Sequence, residues 1–129
     1  MDWKYLLTSF QGRINRKPWW LATIAIGIGF SVLFWIATAV FGNITPSEDP
    51  ALPAAMSLSP VGWILMAVLY VIFLWASIAL AVKRLHDRNR SGWFYLLMLV
   101  PLVNIWIVIE IMFLKGTAGS NNYGADPLA

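Results

Sequence analysis

Residues 61–82 read VGWILMAVLYVIFLWASIALAV, and residues 83–93 read KRLHDRNRSGW. The first stretch carries no charge. It is long enough to cross a bilayer core of about 30 Å, for which about 20 apolar residues suffice. The second is the densest run of charge in the chain and contains its one histidine. An apolar run of spanning length that ends in a basic hinge reads as a membrane helix meeting the cytoplasm. The rest of the chain is read outward from that boundary.

Composition agrees. Of 129 residues, 60% are hydrophobic and 12% charged, against about 25% charged in soluble domains. Mean hydropathy is +0.71. Such a chain could not cover itself with polar surface, so lipid is the expected solvent. The absence of cysteine excludes disulfides and thiolate metal sites. The net charge of +3 reads as membrane orientation rather than nucleic-acid binding, because no basic tail or aromatic-rich basic surface accompanies it.

Upstream of the second span, residues 42–60 hold prolines 46, 50, 53 and 60 with Glu48 and Asp49 and no Lys or Arg. Proline at that density predicts an irregular external loop. Ser59-Pro60 then suits an N-cap followed by the first helical position. Residues 19–41 are a first uncharged span. Ala37-Thr38-Ala39 resembles a signal-cleavage site, but the apolar run exceeds the usual 7–15 residues of a signal peptide, so an uncleaved span is expected. Ala25 and Gly29 lie at small-xxx-small spacing, which permits close helix approach. Before this span, Pro18 suits a helix start, and Trp19 and Trp20 an interfacial belt. Residues 2–11 place Trp3, Leu6, Leu7 and Phe10 on one stripe, an interfacial amphipathic helix ending near Gly12.

Downstream of the hinge, residues 93–114 form a third apolar stretch interrupted by Pro101 and Asn104, with Glu110 near its end. It either crosses as a kinked span or turns back at Pro101, and full crossing is the expectation. The polar tail 115–129 is rich in glycine and asparagine and not helical. The fold class predicted is all-α: a single integral membrane domain of three apolar segments and an interfacial helix, with 83–92 a basic hinge. Four Lys or Arg precede the first span, none lies in 42–60, four lie in the hinge and one follows the third stretch. The positive-inside rule then puts the N-terminus and hinge in the cytoplasm.

The arginine candidates lie on that face. Arg13, Arg16, Arg84 and Arg88 are candidates for an anionic ligand or lipid headgroup, because the guanidinium fork matches phosphate. Arg84 and Asp87 form an i,i+3 opposite-charge pair. His86 with Asp87 as a general-base pair is disfavoured: helical neighbours point about 100° apart, and no nucleophile motif or second histidine accompanies them. No metal or cofactor is implied. Glu110, an acid within an apolar stretch, is a functional candidate by position. In the tail, Asn121 and Asp126 can cap backbone groups, and no phosphate-loop pattern is present.

Three motifs carry a resemblance. They are Phe10-x-Gly12-Arg13-x-x-Arg16-x-x-Trp19-Trp20, Arg84-Leu85-His86-Asp87 with Ser91-Gly92-Trp93, and Gly116-Thr117-x-Gly119-x-Asn121-x-Tyr123-Gly124-x-Asp126-Pro127. In this order they resemble the bacterial inner-membrane family of domain of unknown function 805 (DUF805), the YhaH-like small membrane proteins. Lys83 stands where the family often has a first arginine, and Asn104 where a glycine often follows the mid-segment proline. The resemblance implies membrane location and a single-domain architecture, but no reaction. If the third stretch turns back, the motif residues His86, Asp87, Asn121, Tyr123 and Asp126 form one cytoplasmic polar cluster; if it crosses fully, the hinge is mainly an anchor. The expected function is a non-enzymatic structural or interaction component, in contact with membrane lipids and forming a homo-oligomer or part of a larger assembly. The alternative is a subunit of an oligomeric transporter or channel, using Glu110 and Asn104.

Overall fold

The computed structural model describes residues 2–128. Four helices, a 3-10 helix and a two-stranded sheet follow in the order α1 (Trp3–Thr8), α2 (Arg16–Phe41), β1 (Gly42–Thr45), β2 (Ala55–Leu58), α3 (Pro60–Asp87), the 3-10 helix (Gly92–Leu99) and α4 (Val103–Met112). The protein is therefore mostly helical. Helices α2 and α3, of 26 and 28 residues, are long and apolar enough to cross a membrane. At 1.5 Å per residue they measure about 39 and 42 Å.

The chain divides into two compact units. One takes in the chain up to Ile26 and from Leu74 onward; the other is Gly27–Phe73. The second unit holds a correction to the sequence expectation. Residues 42–60 are not wholly irregular: Gly42 pairs with Leu58 and Thr45 with Ala55 in an antiparallel hairpin. Prolines 46, 50 and 53 fall in the connection between the strands and Pro60 opens α3, so no proline interrupts the ladder. The Ser59 N–H donates to the Phe41 carbonyl at 2.9 Å, and Ser59 Oγ accepts from the Gly62 N–H, capping α3 as expected. Phe30 and Phe73 pack with ring centroids 4.7 Å apart.

In the first unit the stretch 93–114 is not one continuous helix. The 3-10 helix and α4 measure about 16 and 15 Å at their respective rises, each half of a bilayer core. Pro101 has no N–H and pushes Val100 out of the helical region, where it lies at φ −93°, ψ 118°. Leu102 follows at φ +68°. The two helices pack on each other. The N-terminal helix is also shorter than expected: α1 stops at Thr8, and Gly12 lies beyond it in a loop at φ +88°. A Cβ at Gly12 would overlap the Tyr5 hydroxyl, so this turn requires glycine on both counts.

The core of this unit joins Leu6, Ile14, Trp19, Ala22, Leu80, Leu85, Ile107 and Ile111. Among its fully buried side chains the long ones include Lys83, Arg84 and Glu110, while Ile24, Trp75, Leu96 and Trp106 are exposed. Apolar groups outside and charges inside is the arrangement a lipid solvent favours.

Candidate functional site

Two helix ends meet at the polar cluster, and a helix leaves its last four carbonyls without backbone partners. Helix α3 solves this locally. Asn89 at φ +60° lets the Arg90 N–H reach the Leu85 carbonyl at 2.8 Å and the Asn89 N–H the His86 carbonyl at 2.9 Å, a Schellman turn. Asparagine is among the few side chains that tolerate this conformation.

Helix α4 is closed by side chains sent from elsewhere. Six successive carbonyls accept hydrogen bonds. Arg84 donates to Glu110, Ile111 and Leu114, the closest at 2.7 Å. Trp20 Nε1 donates to Met112 at 3.0 Å and Arg16 to Phe113 at 2.9 Å. Arg88 donates to Lys115. Cations here also meet the negative end of the helix dipole. Lys83 does the same for α1: its Nζ donates to the carbonyls of Tyr5 (3.1 Å), Leu6 (2.7 Å) and Ser9. An ammonium has three donors, and each finds a carbonyl.

Asp87, the last residue of α3, is the centre of the cluster. Its Oδ1 accepts from Arg13 Nε at 3.1 Å, and its Oδ2 accepts from Arg84 Nη1 at 2.9 Å. Arg13 uses all five of its N–H groups: the others reach the carbonyls of Asp87, Thr117, Gly119 and Gly124. The Thr117 N–H donates to the Asp87 carbonyl at 2.7 Å. A Cβ at Gly116 would overlap the Asp87 carboxylate, so the tail can lie this close only through glycine.

Beside it, Glu110 Oε1 accepts from Arg88 Nε at 2.8 Å and Arg90 Nε at 2.9 Å, while Oε2 has no partner among the described residues. The Arg90 guanidinium also lies 4.9 Å from the centre of the Phe94 ring. His86 Nδ1 lies 3.0 Å from the Gly12 carbonyl, and its ring stacks on Tyr123 at 4.0 Å and 2°. Asn121 Nδ2 donates to the His86 carbonyl, and Asn121 Oδ1 accepts from the Tyr123 N–H. Asp126 accepts from the N–H groups of Leu128 and Gly119, which hold its carboxyl below the ordinary aspartate range.

The three motif segments, around Arg13, Asp87 and Thr117, thus meet in one hydrogen-bonded body. A model of the family described as "Protein of unknown function (DUF805)" matches residues 7–125. The chain belongs to the DUF805 family. Its relatives within reach of comparison include inner membrane protein YhaI of Escherichia coli K12, 35% identical over 92% of this chain and 85% of the relative. Inner membrane protein YhaH of the same strain is 30% identical over 98% and 97%. Uncharacterized protein YiiR of that strain is 29% identical over 93% and 86%. No solved structure matches. This DUF805 chain, with its long apolar helices, is a membrane protein.

Within the DUF805 chain the candidate residues separate. Arg13 and Arg84, expected to receive an external anion, are instead buried and engaged by the protein's own carboxylate and carbonyls. Arg16 is exposed, and Arg88 keeps partial exposure. Asp87 pairs with the two arginines and not with His86, so no oriented acid–base dyad forms. His86, Asp87, Asn121, Tyr123 and Asp126 do share one cluster. Sequence reasoning missed Trp20 and Lys83, which it read as belt and topology residues. The signal was their spacing from helix ends that lacked local caps, which only the fold reveals.

Proposed function

We propose that this chain is a multi-pass protein of the bacterial inner membrane with a structural or interaction role, whose cytoplasmic cap binds anionic lipid headgroups through its outer cations. In this reading α2 and α3 span the bilayer. The 3-10 helix and α4 enter as a re-entrant pair, so the N-terminus, hinge and tail share the cytoplasmic side, and the hairpin lies outside. The observation that carries it is the meeting of three distant segments around Asp87, with Arg16, Lys17, Arg90 and Lys115 exposed. A ring of paired, largely buried charges gives the cap its shape. The exposed cations remain available to phosphate, each contributing about 1 kcal/mol near an anionic surface.

Glu110, on which a transport reading would turn, holds Arg88 and Arg90, and the proposal gives it that positioning role. Assembly with further copies belongs to the proposal as well. Ala25 and Gly29 are exposed on α2, and a Cβ at Gly29 would meet open space, which leaves room for a neighbouring helix.

Native mass spectrometry of the full chain, with phosphatidylglycerol against phosphatidylcholine, tests the headgroup reading. The unsubstituted protein is expected to retain the anionic lipid preferentially, and Arg16→Ala with Lys17→Ala to lose most of that preference. Equal retention of both lipids, or a preference unchanged in the double variant, contradicts it.

A further inference from the structure

A cavity of about 480 Å³ lies beside His86, outside the ring of ion pairs. Its volume falls in the range of small-molecule sites, about 300–1,000 Å³. Phe10, Ile78, Val82 and Leu96 line it together with the hydroxyl residues Ser91 and Tyr95, and no Asp, Glu, Lys or Arg does among the described residues. Such a wall disfavours a charged ligand, whose desolvation nothing would offset.

The polar group of the lining that offers a free acceptor in a fixed plane is His86. A carbonyl oxygen only accepts, so in the contact with Gly12 it is His86 Nδ1 that carries the proton. In the neutral ring Nε2 is then an acceptor lone pair. Tyr123 stacks on the imidazole face and fixes its plane. Nε2 has no hydrogen-bond partner among the described residues. It lies toward Gly92, which lines the cavity: a Cβ placed there would sit 3.6 Å from Nε2. The absence of a side chain at Gly92 keeps this edge of the ring open.

We propose that this cavity binds an uncharged amphiphile dissolved in the membrane, with its apolar body against Ile78, Val82 and Leu96 and a neutral hydroxyl donating to His86 Nε2. The chemistry selects the class. An anion meets no cationic group here, only the neutral hydroxyls of Ser91 and Tyr95, a cation finds no carboxylate, and a plain hydrocarbon leaves the lone pair unmet. The hydroxyl could be the free glycerol hydroxyl of a diacylglycerol or the phenolic hydroxyl of a hydroquinone with an apolar tail. No covalent or redox step is part of the proposal.

The chain has a single histidine, so its imidazole nitrogens are an unambiguous reporter. Full-length protein labelled with nitrogen-15 histidine, in phosphatidylcholine nanodiscs, is titrated with 1-dodecanol, dodecane and dodecanoate while the Nε2 resonance is followed. Dodecanol is expected to give a saturable shift, half-complete at a bilayer mole fraction roughly three- to tenfold below that of dodecane, the worth of one hydrogen bond. Dodecanoate is expected to give none. Ile78→Trp fills the cavity and is expected to abolish the shift while leaving the Nδ1 resonance in place. If that variant also moves Nδ1, Leu96→Trp replaces it, and if both do, the alcohol and hydrocarbon titrations of the unsubstituted chain decide. A response retained in a variant with intact Nδ1, an equal response to dodecane, or no saturable response overturns the proposal. Diacylglycerol and a prenylated hydroquinone, titrated in turn, distinguish the two sources. A response to dodecanol with neither contradicts a membrane amphiphile as occupant.

Discussion

The two compact units close their backbones in opposite ways. In Gly27–Phe73 the hydrogen bonds are local. Ser31 and Thr38 each return a hydroxyl to the carbonyl four residues back, and the hairpin pairs neighbouring strands. No ion pair holds this unit among the described residues. In the other unit, groups far apart in sequence complete one another: Arg13 reaches Gly124 across 111 positions, and Lys83 reaches Tyr5 across 78. A network of local bonds spreads its stability thinly, whereas a buried network concentrates it in a few atoms, because each group left unpaired carries its full desolvation cost.

The same change made in both units breaks or sharpens that contrast. Asp87→Ala leaves Arg13 and Arg84 buried without their shared carboxylate. Breaking a buried pair this way costs about 3–5 kcal/mol, and unfolding in mixed micelles with a denaturing detergent is expected to show that loss. A loss under 1 kcal/mol would mean that water reaches the pair. Gly116→Ala should follow at about 1–3 kcal/mol, the range for forcing extra volume into a packed site, since the methyl overlaps the Asp87 carboxylate. The same assay reads it, and a neutral result would show that the tail does not lie against α3.

A smaller effect is expected from pH. The folded carboxyl of Asp126 lies below its unfolded value, so its contribution is present in full above about pH 3.9 and is lost as pH falls through the lowered folded value. Hydrogen exchange at the Gly119 and Leu128 amides should therefore stay slow through the ordinary aspartate range and quicken only below it; Asp126→Asn should remove that dependence. The smallest effect belongs to Asp49→Ala in the hairpin connection, where one exposed bond to the Ala51 N–H is lost. Surface changes of this kind fall within about 0.5 kcal/mol. A cost comparable to that of Asp87→Ala would erase the distinction between the units.

Much of this was legible in the sequence because its signals are local. Spanning lengths of apolar residues gave α2 and α3, Ser59-Pro60 gave a helix start, and the i,i+3 spacing gave the Arg84–Asp87 pair. The helix break at Pro101 was left open between a kink and an end, because periodicity alone does not say which a proline makes. The hairpin was hidden by prolines that turn out to flank its strands. Pairing across sequence was least legible. Nothing local marks Arg84 as the cap of α4 or Lys83 as the cap of α1, and Arg13 gives no sign that it will use every donor inside the protein. Those assignments depend on which unfinished helix ends the fold brings near.

The central claim is that the N-terminal segment, the hinge and the tail form one cap on one side of the membrane. The chain has no cysteine, so single cysteines at Ser120 and Glu48 report sidedness without interference. Tested with an impermeant maleimide, Glu48→Cys should react in intact cells and Ser120→Cys only after the membrane is opened. Reaction of both in intact cells would place the tail across the bilayer from the hinge and contradict the cap.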